Sequence, residues 1–276
     1  MFKKIAIYTG YLLLVGALIA YFILSTKLER SGSAKVICKR VDISILDSSV
    51  NQFVSIEEIG ELIREQGITA GESKIKHINL HQLEQILNNR TAVKVSQINY
   101  NGAGVMMVRV EQRRPVLRIE TVNGGFYIDD SGYIFPLVKS FTSFVPVVTG
   151  HIPLSVAPGY RGRLNENKEW SDQMVFLGNF IDQHELFDAQ IEQIDVDEKG
   201  NLYIIPRVGQ HLIVFGKPDN VEAKFKKLMA FYEHIVPNAG WDKYSLISLQ
   251  YENQIVCTKR EGIKENKINI EKNLNI

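Results

Sequence analysis

The sequence predicts an α+β chain. A single transmembrane helix leads into a small strand–helix–helix–strand–strand domain, and a mostly antiparallel β domain with two helices follows. Three observations carry this reading. Residues Ile5 to Leu24 form an uncharged apolar run. Two short helical patterns with the same cap design follow it, at Ser55 and at Asn79. Beyond Pro115 the chain turns to period-two alternation broken by turn dipeptides such as Asn123-Gly124.

A helix of about 20 residues, at ~1.5 Å per residue, spans about 30 Å, the thickness of a bilayer's hydrocarbon core. Residues 5–24 are therefore read as a membrane span behind a short cytoplasmic N-terminus, 1–4, with 25–35 as a polar linker. Tyr8, Tyr11, Tyr21 and Phe22 lie toward its ends, as interfacial aromatics do. A cleaved signal peptide fits less well, because the small residues Ser31, Gly32, Ser33 and Ala34 come late after a long apolar run. Lys27, Arg30, Lys35, Lys39 and Arg40 outnumber Lys3 and Lys4, so charge alone argues for a cytoplasmic body. Long domains, however, translocate largely regardless of flanking charge.

The small domain, 36–119, opens on a strand in which Val41, Ile43 and Ile45 alternate with Asp42 and Ser44. Ser55 and Glu58 form a capping box, with Val54 and Ile59 placed as a hydrophobic staple. Ile56, Ile59, Leu62 and Ile63 form one apolar face, and Gly67 can end the helix. The design repeats with Asn79 as cap, Gln82 answering it, and a face of Leu80, Leu83, Ile86 and Leu87. Val93 and Val95 fall out of phase with Ile98 and Tyr100, which predicts a bulge near Ser96. Asn101-Gly102 then turns the chain into the alternating strand of Met106, Val108 and Val110.

The second domain, 120–260, reads as short strands around Val116–Val122, Gly125–Ile128 and Tyr133–Phe135, with a loop from Phe144 to Arg163. Trp170, Met174, Leu177, Ile181 and His184 trace one helix, and Val221–Val236 another. Strands flank Asp197-Glu198-Lys199-Gly200 and continue at Leu212–Phe215, Tyr244–Tyr251 and Gln254–Lys259. Residues 261–276 read as a mobile tail, since they lack a dense apolar cluster.

The residues offer no reaction chemistry. A net charge of +1 gives no nucleic-acid footprint. Two distant cysteines, Cys38 and Cys257, make neither a disulfide framework nor a metal spacing, and each reads as a small apolar residue in a strand. His77 and His81 lie four apart, but Asn79 between them reads as a cap, so they need not share a helix face. Asp195-x-Asp197-x-Lys199-Gly200 begins like a calcium loop but has Lys199 and Pro206 where ligands are needed, which predicts a hairpin turn. No catalytic, metal or cofactor-binding residues are assigned.

Several short motifs resemble a known family. They are Phe53-Val54-Ser55, Gly71-Glu72-Ser73, Asn79-Leu80, and Val108-x-Val110-Glu111 leading to Pro115-Val116. Further on come Phe126-Tyr127-Ile128-Asp129-x-x-Gly132-Tyr133-Ile134-Phe135 and Val145-Pro146-x-x-x-Gly150. The first set resembles a POTRA domain. With the span and the β-rich domain, the chain resembles the bacterial cell-division FtsQ/DivIB family over residues 1 to about 258. It departs from the family pattern in Ser248-Leu249-Gln250-Tyr251, where only Leu and Tyr match, and in Lys217, where an Arg is usual.

The resemblance implies a non-enzymatic scaffold of the inner membrane at the division septum, N-terminus inside and body outside. It implies bitopic partners like FtsB and FtsL, with further divisome proteins docking on the POTRA domain. The expected binding mode is β-augmentation on the last strand, through Tyr251, Glu252, Asn253, Gln254, Ile255 and Val256, with Lys217 and Phe225 beside it. Two other classes fit less well. An outer-membrane assembly protein would carry a β-barrel, which two amphipathic helices argue against. A tethered envelope hydrolase would need convergent titratable groups.

Overall fold

A computed structural model of the chain describes residues 13–25, 37–163 and 166–260. The expected short N-terminus, residues 5–12 of the expected span, nearly all of the linker and the tail lie outside the described residues. Residues 13–25 are helical and exposed throughout. Among the described residues, no helix is long and apolar enough to cross a membrane. The body divides into two compact units between Arg113 and Arg114. The division precedes the expected 119/120 boundary because Pro115–Thr121 pairs forward, with Gly124–Asp129.

The first unit runs β1 (Arg40–Ile45), α1 (Ile56–Glu65), a 3-10 turn (Ile75–His77), α2 (Leu80–Asn88), β2 (Val93–Tyr100) and β3 (Val105–Gln112). Its sheet has the order β1-β3-β2, with β1 parallel and β2 antiparallel to the central β3. Both predicted caps form. Ser55 Oγ accepts from Glu58 N at 3.1 Å, and Asn79 Oδ1 accepts from Gln82 N at 3.1 Å. Each such cap contributes about 1 kcal/mol. Gly67, at φ 73°, ends α1 as a Schellman motif: Gly67 N bonds Arg64 O and Ile68 N bonds Ile63 O.

Ile59, Leu62 and Ile63 of α1 and Leu83 and Leu87 of α2 are buried with Met106, Val108 and Val110 of β3. Each buried aliphatic side chain contributes about 1.5–3 kcal/mol. Buried Gln112 ties the end of β3 to the loop before α1, accepting from Val54 N and donating to Asn51 O at 2.7 Å.

Three expectations shift. Ile56 is exposed, because the first residue of a helix lies at its rim rather than on its packed face. The bulge sits between Val93 and Val95, so that buried Ser96 is already in phase with Ile98. In the following turn the left-handed residue is Gly104 at φ 85°, not Gly102. Asn101 Oδ1 accepts from both Ala103 N and Val105 N, which lengthens the loop.

The second unit holds β4 (Pro115–Thr121), β5 (Gly124–Asp129), β6 (Tyr133–Pro136), β7 (Val147–Gly150), β8 (Gly162–Arg163), α3 (Lys168–Asp182) and α4 (Glu185–Gln190). It continues with β9 (Ile191–Val196), β10 (Leu202–Pro206), β11 (Leu212–Gly216), α5 (Val221–His234), α6 (Val236–Ala239), β12 (Tyr244–Ser248) and β13 (Val256–Lys259). The strands form one mixed sheet in the order β13-β12-β11-β10-β9-β7-β4-β5-β6-β8. Most pairs are antiparallel, as expected. The pairs β4–β7, β7–β9 and β11–β12 are parallel.

The expected loop 144–163 thus contains β7, a central strand. Val148 is fully buried, and Gly150 has φ 90°. A Cβ at Gly150 would lie 2.3 Å from Val196 O, so only glycine fits beside β9. The helix traced to His184 ends at Asp182, and short α4 follows it; α6 likewise extends the second helix region. Two tight hairpins are closed by aspartates, the second at the predicted Asp197 turn. Asp129 Oδ1 accepts from Ser131 N and Tyr133 N, and Asp197 Oδ1 from Lys199 N and Asn201 N. The bonds from Asn201 hold the Asp197 carboxyl below the usual carboxylate range, as a turn acceptor needs.

Candidate partner-binding edge

The candidate site lies at the β13 end of the large sheet. β13 pairs antiparallel with β12 on one side, through Ser248↔Val256, Ile247↔Cys257 and Leu246↔Thr258. Among the described residues no strand pairs its other side. Arg260 N donates to Lys243 O at 2.9 Å, facing β12. By alternation the amide of the preceding residue, Lys259, points away from the sheet.

Two lysines of α5 organise the segments beside this edge. Lys227 Nζ donates to Leu249 O at 2.7 Å and to Tyr251 O. It thereby fixes the bend that leads out of β12. Its pKa is lowered, first by burial and then by the charge of Lys224, with Glu252 opposing. Lys224 is nearly buried, bonds Lys217 O at 2.7 Å and Asp219 Oδ1 at 2.6 Å, and sits over the Phe215 ring. Gly216, at φ 78°, lets Gln250 approach: a Cβ there would lie 2.9 Å from Gln250 Cγ.

The predicted residues separate. Tyr251 is 50% exposed, in the bend. Glu252 and Asn253 form an exposed turn, Gln254 is exposed, and Ile255 is partly buried against the core. Only Val256, 41% exposed, lies in β13. The edge strand therefore begins where the predicted segment ends, because the Lys227-held bend consumes residues 251–255. Lys217 is exposed, its Nζ against Lys199 O. Phe225 is fully buried, 4.4 Å from the Phe187 ring and 5.4 Å from the Phe215 ring, so it is a core residue rather than a contact for a partner. Its place in the i, i+3 row with Leu228 carried that signal.

Sequence reasoning assigned no partner-binding role to Lys227, Cys257, Thr258 or Lys259. The β-branched Val256 and Thr258 within Gln254–Lys259 were the available sign of the true edge. Cys38 and Cys257 are both free thiols. Burial raises the pKa of each, and Cys38 lies just before β1 rather than in a strand. His77 ends the 3-10 turn and His81 lies in α2, where it meets Gln85 at 3.0 Å. Among the described residues no group of three His, Cys, Asp or Glu side chains is placed to hold a metal ion.

Residues 114–258 match the family model described as FtsQ/DivIB, C-terminal related. The chain belongs to this FtsQ/DivIB-related family. Residues 36–111 match the model of a POTRA-like domain, in agreement with the first unit's fold. No curated protein matches the chain.

Proposed function

We propose that this FtsQ/DivIB-family chain is a non-enzymatic division scaffold of the cell envelope. Residues 5–24 anchor it in the cytoplasmic membrane, N-terminus inside, with the two units outside at the septum. It captures an extended segment of a bitopic division protein, of the FtsB or FtsL kind, as an added strand on β13. The POTRA-like unit docks further divisome proteins. One observation carries the reading: in the family-matched domain, no strand among the described residues pairs the outer side of β13, beside the exposed Tyr251. Main-chain bonds along such an edge supply affinity, and alternate side-chain pockets supply specificity. An unprotected edge would otherwise invite aggregation.

Depletion in living cells tests the role. Loss of the protein should block septation and give filaments; normal septation would refute it. Tyr251→Ala tests the mode. It should weaken capture of the FtsB-type partner while leaving the folded body intact, read by pull-down and circular dichroism.

A further inference from the structure

A second surface lies on the far flank of α5 from Lys227. Three recesses run between α3 and α5, with volumes of about 780, 510 and 340 Å³. They share lining residues: Phe176 belongs to two, Phe180 and His184 to two, and Glu222 to all three. They therefore form one continuous open groove rather than separate cavities. Its floor is mainly apolar in the two smaller recesses, while the largest is also lined by the polar Asp130, Asn179 and Gln183. Phe176 is 49% exposed although it projects from a packed helix, and Phe180 stacks on Phe225 at 5.0 Å. Met229 continues the floor, and Ala223 and Ala230 leave α5 low at the rim. The second unit's own hydrophobic cluster leaves Phe176 out, so this ring adds nothing to the core that would account for it.

The rim is acidic. Asp172, Asp219, Glu222 and Glu233 line it against Lys226. Asp172 is paired with Lys168 and Asp219 with Lys224. Among the described residues Glu222 and Glu233 form no ion pair, which leaves a carboxylate at the centre of the groove and another at its end. Glu222 and Glu233 lie 11 residues apart on α5. At ~1.5 Å per residue that is about 16 Å, three turns of a helix laid alongside.

We infer that the α3–α5 groove docks an amphipathic partner helix with an apolar stripe and basic flanks. An apolar helix face laid into a groove is a recurrent recognition mode. Charge selects this occupant: acidic rims repel nucleic acid and acidic peptides and attract lysine- or arginine-flanked helices. The groove is separate from the β13 edge, so the inference stands apart from strand capture.

The test uses the full chain in zwitterionic detergent. The probes are a Leu/Lys heptad peptide bearing a photoreactive residue and a Leu/Glu counterpart of the same pattern. The basic peptide should cross-link to residues of the groove. Glu222→Lys and Phe176→Ala should each weaken it about tenfold, a loss typical of a central interface contact. Glu222→Gln, which keeps the shape, should give a smaller loss. Glu222→Lys with Glu233→Lys should instead favour the acidic peptide. Lys259→Pro, at the other surface, should leave peptide binding unchanged, so failure of strand capture and failure of the groove are told apart. Circular dichroism of each variant checks folding. Equal binding of both peptides, or cross-links elsewhere, would overturn the inference. So would peptide-free cross-links from residues 261–276, or from a second copy of the chain, into the groove.

Discussion

Two strands, β2 in the small sheet and β13 in the large one, stand at sheet ends, and the molecule treats them in opposite ways. The free side of β2 is closed by its own helix. Ser96 N donates to Asn88 Oδ1 at 2.7 Å, and Ile98 N donates to Glu84 Oε1 at 2.7 Å. Ser96 Oγ adds a bond to Asn88 Oδ1 at 2.9 Å. Side chains of α2 thus occupy the amides that a visiting strand would need. No side chain reaches the outer amides of β13 in this way among the described residues. Nearby lysines bind carbonyls of the flanking loops instead, at Leu249, Tyr251 and Lys217. One edge is sealed and the other is framed. The lesson is that a small sheet need not offer its edge merely because it has one, and that edge protection is a property of the neighbouring helix's polar residues.

Four experiments sharpen this contrast, in falling order of expected effect. Lys259→Pro removes an outward amide without breaking the β12 ladder. It should weaken capture of the FtsB-type segment by about 100-fold, equivalent to about 2.7 kcal/mol, measured by calorimetry; unchanged capture would remove β13 as the docking edge. Opening the sealed edge should cost stability instead. Asn88→Ala leaves Ser96 N without its acceptor and should destabilise the first unit by about 1–3 kcal/mol, read from urea unfolding. If an added Glu84→Ala then produces self-association, the two edges differ only in their covering.

The third experiment concerns the end of β13. Buried His211 meets Tyr232 Oη at 3.2 Å and stacks on Trp241, while Arg260 reaches Gln210 O beside it. Burial, aided by Arg260, lowers the His211 pKa, whereas burial pushes Tyr232 up to about 12. Because the folded His211 resists protonation, its contribution to stability is complete above its ordinary pKa of about 6.5 and is lost as pH falls through and below that value. The melting temperature should drop between pH 7.5 and 5.5, and His211→Asn should flatten that slope. Fourth and smallest, Lys227→Met should raise amide exchange in residues 249–252 with a stability loss of about 1 kcal/mol or less. Unaltered exchange would mean that the bend holds itself.

The first unit was nearly complete in the sequence because its signals are local. Ser55 and Asn79 bond amides three residues away, and Gly67 closes its helix within one turn. The second unit was less legible where pairing is remote. Val147–Gly150 carries a proline on its flank and only four strand residues, and nothing nearby marks it as central. Its partners lie far off in sequence, at Arg118–Ile119 and Gln193–Val196. The site was half legible. The last strand does end the large sheet, as its alternation predicted, but which residues form that edge depended on Lys227, whose target carbonyls are 22 and 24 residues away.

The sequence by itself determined the element order of the first unit, the helix caps, the Asp197 turn and the membership in a division-protein family, since each rests on short-range geometry or on ordered motifs. Tertiary structure decided which edge is open, that Phe225 is core, that β7 sits at the centre and that Phe176 and Glu222 share a groove. Those outcomes depend on which distant backbone or helix comes to lie alongside, and no local pattern encodes that neighbour.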